Sequence, residues 1–309
     1  MRKKINLKTK QSKILALIIV AVLTFISAND ILDISDTIPT WAEIFDVSDN
    51  GLVSDADLSV HFIDVEQGDC TLILTEDSAV LIDAGEAKYG TNVLSYLQSQ
   101  GITRLDYVIG THPHSDHIGG LSLVIEELDI GTVILPKIPD KLVPTTRTYE
   151  NLLSAISKKG LKIKAAKVGD VFDLGDAELE ILAPTGKYNN LNDYSVVSKI
   201  THGRNSFLIT GDIEKSAEKD LTKRRSQLYS TVLKVPHHGS RGSNSAEFLE
   251  QVEPKYAVIM VGKNNTYGHP HEDALSRLLD IDSDIIRTHL SGNIVFDSDR
   301  RVITYYTQN

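Results

Sequence analysis

Between Thr111 and His117 the chain reads THPHSDH, which sets three imidazoles and a carboxylate (His112, His114, Asp116 and His117) within six residues. Apolar packing gives no reason for such a cluster, whereas imidazole and carboxylate together suit zinc, iron or manganese. The run also constrains the fold. It follows Leu105-Asp106-Tyr107-Val108-Ile109-Gly110, an apolar segment that reads as a buried strand, and precedes Ile118-Gly119-Gly120-Leu121, which reads as the start of a helix. A loop at a strand end can aim His112 and His114 at one point while Asp116 and His117 turn toward a second.

The other histidines follow the same arrangement. Seven of the ten fall in three clusters. The second is Lys234-Val235-Pro236-His237-His238-Gly239-Ser240, again an apolar strand running into a loop, and the third is Tyr267-Gly268-His269-Pro270-His271. Between the first two, Leu208-Ile209-Thr210-Gly211-Asp212 reads as a strand that delivers a carboxylate at its end. Such a carboxylate can bridge two cations. Ser240 follows two histidines, but no acid–base triad surrounds it, so it reads as loop geometry.

These motifs resemble those of the metallo-β-lactamase-fold hydrolases. Within that superfamily they are similar to the hydrolase domain of the competence protein ComEC and its stand-alone secreted relatives. The resemblance rests on FIDVEQGD from Phe62, LIDAG from Leu81, THPHSDHIGG from Thr111, TGDIE from Thr210, LKVPHHGS from Leu233 and GHPH from Gly268. It spans Leu58 to Thr307. There are departures. Glu66 stands where the first motif carries a glycine, and His289 follows Thr288 where the pattern has aspartate. The isolated histidine of the third motif is absent, and the corresponding segment offers Asn192 and Ser195.

The resemblance implies a four-layer αββα sandwich, where periodicity alone says only α/β or α+β. It implies two divalent metal ions, zinc or manganese. One would be held by His112, His114 and one of His237 and His238, the other by Asp116, His117 and a histidine of GHPH, with Asp212 between them. Family analogy favours His238 as the ligand of its pair and leaves His237 either supporting a ligand from behind or facing substrate. His269 and His271 divide between ligand and general acid. The working set takes His271 as a ligand and Asp116, His237 and His269 as catalytic. Asp83 would orient a ligand histidine, with Asp64, Asp69, Asn192 and Ser195 as further supporting residues. His61, His202 and His289 read as structural. The implied activity is metal-dependent phosphodiester hydrolysis, on single-stranded DNA or on a small envelope diester of the phosphorylcholine type. The missing third-motif histidine leaves β-lactam hydrolysis without support. A catalytically silent binding domain fits poorly with so complete a ligand set.

The termini and charge bear on partners. Arg2, Lys3, Lys4, Lys8, Lys10 and Lys13 precede the uncharged 15-residue run from Ile14 to Ala28. A membrane span needs about 20 apolar residues, so residues 1–28 read as a signal peptide ending at Ile26-Ser27-Ala28, or as an uncleaved N-terminal membrane anchor. The expected location is extracellular or on the outer face of the cytoplasmic membrane, with no protein partner evident. Residues 29–57 read as a polar, acidic lead-in to a hydrolase domain at 58–309. Cys70 is the sole cysteine, which excludes an internal disulfide. Without residues 1–28 the chain keeps 26 basic against 42 acidic residues, a net charge of −16. That opposes nucleic-acid binding over the surface as a whole. The stretch Lys137–Lys167 is a local exception, open to two readings: a solvated helix face, or a track for a phosphate backbone.

Hydrophobic spacing predicts helices at 92–100, 117–128, 149–159, 216–225, 245–252 and 272–279. Strands are predicted between them, with a hairpin about His202-Gly203-Arg204-Asn205.

Overall fold

Phe207 and Ile209 belong to one buried apolar cluster and Leu208 to another. The same alternation recurs in Val232 against Leu233, and in Tyr256 and Val258 against Ala257 and Ile259. Successive side chains of a strand face opposite ways, so these strands are covered on both sides. That is why they read in the sequence as continuous apolar runs.

The computed structural model describes residues 56–223 and 228–308. The export segment expected at 1–28, the lead-in as far as residue 55, and Arg224 and Arg225 of a predicted helix lie outside them. In chain order the strands are β1 (Leu58–Phe62), β2 (Thr71–Thr75), β3 (Ala79–Ile82), β4 (Arg104–Ile109), β5 (Asp129–Leu135), β6 (Ile163–Ala165), β7 (Val171–Asp173), β8 (Glu178–Ala183), β9 (Val197–His202), β10 (Asn205–Ile209), β11 (Val232–Lys234), β12 (Tyr256–Ile259), β13 (Asp284–Arg287), β14 (Asn293–Ser298) and β15 (Ile303–Gln308). The helices are α1 (Gly90–Ser99), α2 (Ser115–Ile118), α3 (Leu121–Glu127), α4 (Arg147–Lys158), α5 (Lys215–Lys223), α6 (Ala246–Val252), α7 (Glu272–Leu279) and α8 (Thr288–Ser291).

Two mixed sheets result, in the orders β15-β14-β1-β2-β3-β4-β5-β6 and β13-β12-β11-β10-β9-β8-β7. Between them lies an aromatic contact. Phe296 of the first sheet meets Phe207 and Tyr256 of the second at ring separations of 6.2 and 5.4 Å, and Phe62 of its own sheet at 6.0 Å. Helices α1, α3 and α4 bury Val93, Leu97, Val124, Leu152 and Ile156 on the first sheet, while α5, α6 and α7 bury Leu221, Phe248 and Leu278 on the second. The expected αββα sandwich is the fold. No helix among the described residues is long and apolar enough to cross a membrane.

One predicted helix is broken. Residues 117–128 form α2 and α3, parted at Gly119-Gly120. The helical ladder is diverted there. His117 O accepts from Ala84 N–H (2.7 Å), and Gly120 N–H donates to Gly85 O (3.0 Å). A Cβ on Gly120 would collide with Ala84 O, so only glycine lets the two segments meet. The break sets α2 directly behind the loop that carries the histidines.

Phe296 is fully buried at the centre of the inter-sheet contact. Phe296→Ala should lower the unfolding free energy by about 3–5 kcal/mol, read as a drop in denaturant midpoint. A loss below about 1 kcal/mol would show that the rings do not hold the sheets together.

Candidate metal centre

The strands β3 to β6 run parallel, as do β10 to β13. The chemistry-bearing residues follow their carboxyl ends, where open α/β sheets form crevices. Asp83 follows β3, the THPHSDH loop follows β4, Asp212 follows β10, and His237-His238 follow β11. The loop after β12 brings His269. His237 and His238 are both left-handed (φ 51° and 54°), a conformation costing about 1–2 kcal/mol per residue. The surroundings hold it there: His237 N–H donates to Gly211 O (3.2 Å), and Gly239, itself at φ 79°, leaves room for Pro270.

Hydrogen bonds assign the ring faces. His238 Nδ1 lies 2.8 Å from Met260 O, and a carbonyl only accepts, so Nδ1 carries the proton. His117 Nδ1 lies 2.8 Å from Asp83 Oδ2, and Asp83 also accepts from Thr111 N–H and Oγ1–H (2.8 and 2.6 Å). Asp83 therefore holds both His117 and the start of the histidine loop. His112 Nδ1 faces Thr111 Oγ1 (3.1 Å) and Ser195 Oγ (3.3 Å). All three rings thus turn Nε2 the same way. Asp212 Oδ2 stands 3.3 Å from His117 Nε2, 3.4 Å from His238 Nε2, 3.7 Å from His237 Nε2 and 3.9 Å from His112 Nε2. Asp116 Oδ2 lies 3.5 and 4.0 Å from the Nε2 atoms of His238 and His117. His114 Nδ1 is 3.0 Å from His112 Nε2 at the cleft wall.

Asp69, Asp83, Asp116 and Asp212 gather here, and the ammonium set among them is that of Lys234. Lys234 is fully buried. It pairs with Asp69, donates to Gly211 O (2.9 Å) and lies 3.7 Å from Asp212 Oδ1. Sequence reading gave Lys234 no role, although a lysine inside the apolar strand LKV was a signal. The negative field outweighs burial at His117, which Asp212, Asp69, Asp116 and Asp83 push well above the usual imidazole range. Burial likewise opposes the rise at His238, yet Asp212 and Asp116 carry it to about 9. Burial would raise Asp212, but His117 and His238 hold it well below the carboxylate range. At His112 burial prevails and the ring is pushed well down.

The donor set fits divalent cations. Ligand atoms of His112, His117 and Asp212 lie within 4.8 Å of one another, as do those of Asp116, His117 and His238. The buried Nε2 atoms of His117 and His238 make no well-directed hydrogen bond. They converge on a common point instead of pairing as donor and acceptor. His238 therefore groups with Asp116 and His117, the place that the sequence reading gave to a histidine of GHPH.

Other expected residues lie further out. A cleft of about 520 Å³ above the centre is lined by residues including Gln67, Thr146, Thr148, Asn192, His237, Tyr267 and His269. His271 does not line it; its Nδ1 accepts from Arg241 N–H (3.1 Å), and the residue precedes α7. The rings of His269 and His271 meet edge to face at 4.9 Å, with His269 the one that lines the cleft. Ser195 Oγ accepts from Asp212 N–H (3.1 Å), so it positions the carboxylate where the third-motif histidine is missing. Asn192 Nδ2 donates to Glu214 Oε1 (3.1 Å), and that oxygen lies 3.4 Å from His237 Nδ1. Glu214 is a second residue without a role in the sequence reading. Asp64 lies away from the imidazole cluster and accepts from Glu66 N–H (2.9 Å). His61 is buried between Ser59 and Tyr96, and His202 bonds Ser298 (2.8 Å). The lysine stretch is divided. Thr146 and Thr148, at the start of α4, reach the cleft. Lys158 and Lys159 lie at the other end of this 12-residue helix, about 18 Å away, and engage Glu126 and Leu128 O. Lys164 pairs with Asp170 (3.4 Å).

The raised His238 has a measurable consequence. In metal-free protein its protonated ring stabilises the fold below pH 6.5, and this contribution is lost as pH rises through about 9. A cation requires the neutral ring. The rise in melting temperature on adding manganese should therefore grow between pH 6.5 and 9. Scanning calorimetry at matched ionic strength reads this, and a rise that shrank over that interval would contradict the placement of His238 among the ligands.

Residues 63–263 match the Metallo-beta-lactamase superfamily. The chain is 32% identical over 265 residues to ComE operon protein 3 of Bacillus subtilis (strain 168), covering 80% of this chain and 34% of that protein. It is 30% identical over 269 residues to Competence protein ComA of Neisseria gonorrhoeae, covering 83% of this chain and 36% of that one. It therefore spans about a third of the length of these relatives. A shorter match, 29% identical over 126 residues, joins it to Exodeoxyribonuclease YycJ of Bacillus anthracis, covering 40% of this chain and 44% of that protein. Among solved structures, Igni18, a metallo hydrolase from Ignicoccus hospitalis KIN4/I, superposes with a TM-score of 0.50 at 13% identity, covering 78% of this chain and 99% of that one. At that identity the likeness concerns the fold alone. With the match extending through the Asp83, THPHSDH, Asp212 and His237-His238 segments, the chain belongs to the metallo-β-lactamase superfamily, and ComEC-like competence proteins are among its homologues.

Proposed function

We propose that this superfamily hydrolase is an exported phosphodiesterase, acting as a nuclease with two divalent cations, zinc or manganese. The observation that carries the reading is Asp212 Oδ2 set among four imidazole Nε2 atoms within 3.9 Å, with Asp116 grouped beside His117 and His238. His112, His114 and Asp212 would hold one cation, and Asp116, His117, His238 and Asp212 the other. When bound, such a pair lowers the pKa of water and offsets charge on a phosphoryl group. The chain's own residues do the rest. Thr146, Thr148, Asn192 and Gln67 line the cleft with hydroxyl and amide groups that can donate to phosphate oxygens. Glu214 Oε1 lies 3.4 Å from Nδ1 of His237, a cleft-lining ring that can donate an N–H to the leaving oxygen. Burial pushes His269 down to about 4, so that ring is neutral at pH 7. Competence proteins and an exodeoxyribonuclease among the relatives support a nucleic-acid substrate.

A second reading, a small envelope phosphodiester, draws support from the acidic balance of the chain. It also draws on the pairing of Lys158 and Lys164 with carboxylates.

Purified full-length chain with manganese should hydrolyse single-stranded DNA and bis(p-nitrophenyl) phosphate. Asp212→Ala should lower both rates by at least about a hundredfold. Turnover of the small diester alone would favour the second reading. Wild-type protein that takes up manganese and hydrolyses neither would refute both.

We also propose export, on the basic start and 15-residue apolar run of residues 1–28. Cell fractionation should recover the chain in the medium or on the outer face of the cytoplasmic membrane, and intact soluble chain in the cytoplasm would overturn this.

A further inference from the structure

We infer that Tyr267 is a stacking platform for a nucleobase attached to the scissile phosphodiester. This inference rests on the phosphodiesterase reading above. Tyr267 is 63% exposed, although it belongs to the wall of the cleft. One face of its ring is covered: it stacks on His269 at 21° with centroids 5.6 Å apart. That leaves the ring available to a planar ligand beside the metal centre. An exposed aromatic with one face supported and the other free is the arrangement on which single-stranded bases stack.

The loop that carries the ring is held in place. Asn265 Nδ2 donates to Gly262 O (2.9 Å) and His269 O (2.7 Å), while its Oδ1 accepts from His269 N–H (2.9 Å). Gln67 Oε1 accepts from Gly262 N–H and Glu66 Oε2 from Lys263 N–H, each at 3.3 Å. Glu66, at φ 58°, stands where the resembling family carries glycine. Its carboxylate ties down the recognition loop, which a glycine could not do. Lys263 lies exposed on the same loop, four residues before the ring. The side opposite, at the start of α4, contributes the hydroxyls of Thr146 and Thr148. The platform is thus an aromatic ring and a cation on one braced loop, a pairing suited to a nucleoside phosphate.

The test compares two esters that differ in the base. Thymidine 5′-(p-nitrophenyl phosphate) carries a nucleobase, and methyl p-nitrophenyl phosphate carries none. With full-length, manganese-loaded chain, Tyr267→Ala should raise KM for the thymidine ester about tenfold, with kcat held and the methyl ester unaffected. Tyr267→Phe and Tyr267→Trp should restore the wild-type KM. Equal changes for the two esters, or none for either, would overturn the platform while leaving the hydrolase reading intact. If wild-type chain hydrolyses neither ester, the hydrolase reading falls separately, and binding of fluorescent oligothymidylate decides the platform. Affinity lost in Tyr267→Ala and kept in Tyr267→Phe upholds it. Equal affinity in both variants, or no binding by wild type, refutes it.

Discussion

Four carboxylates brought together, three of them after parallel strands and Asp69 from the turn between β1 and β2, set the electrostatics of this domain. Asp69, Asp83 and Asp212 are buried outright, and like charges so close, in so little water, repel strongly. The chain meets this with one buried ammonium and a ring of imidazoles. Lys234 sits two residues after Val232 on β11, so strand alternation turns it to the face that otherwise packs against the opposite sheet. A neutral residue there would leave Asp69 with the His117 and His238 rings alone, at 3.7 and 3.4 Å. The centre is therefore a deficit of positive charge held within a rigid frame, and divalent cations suit that deficit.

The same frame settles the direction of each ring. Met260 O, Asp83 and Thr111 take the Nδ1 sides, so the Nε2 sides have one place to go. The rings of His112, His117 and His238 are thereby oriented before any cation arrives. Pre-organisation of this kind shortens the step from folded chain to loaded site, since ligands already oriented lose little freedom on binding.

Much of the centre was legible from residues alone because its ligands come in runs. THPHSDH and PHHGS each follow an apolar stretch, and a strand end is the natural place for them. The fold followed from the same runs and the resemblance they carry. What escaped was set by contacts distant in sequence. The helix expected through Gly119-Gly120 is interrupted because Ala84 and Gly85, over thirty residues earlier, take its hydrogen bonds. The reason for Lys234 within an apolar strand is Asp69, which comes from the turn between β1 and β2, far away in sequence. His269 and His271, two residues apart in sequence, keep their rings in edge contact, yet His269 lines the cleft and His271 does not. Lys158 and Lys164 looked available for phosphate, but their carboxylate partners come from other segments.

Gly68, Gly85 and Gly120 form the seam between the first motif, the Asp83 turn and the histidine loop. Added carbons there would strike Asp116 O, Val65 and Ala84 O respectively. A ligand can be exchanged for another group that binds or positions, as Ser195 and Asn192 stand in for an imidazole here. A seam closed to the width of a hydrogen atom accepts no such exchange. A side chain at any of these three positions would thus force apart the joint on which every candidate ligand is mounted, whereas a change at a single ligand leaves that joint closed.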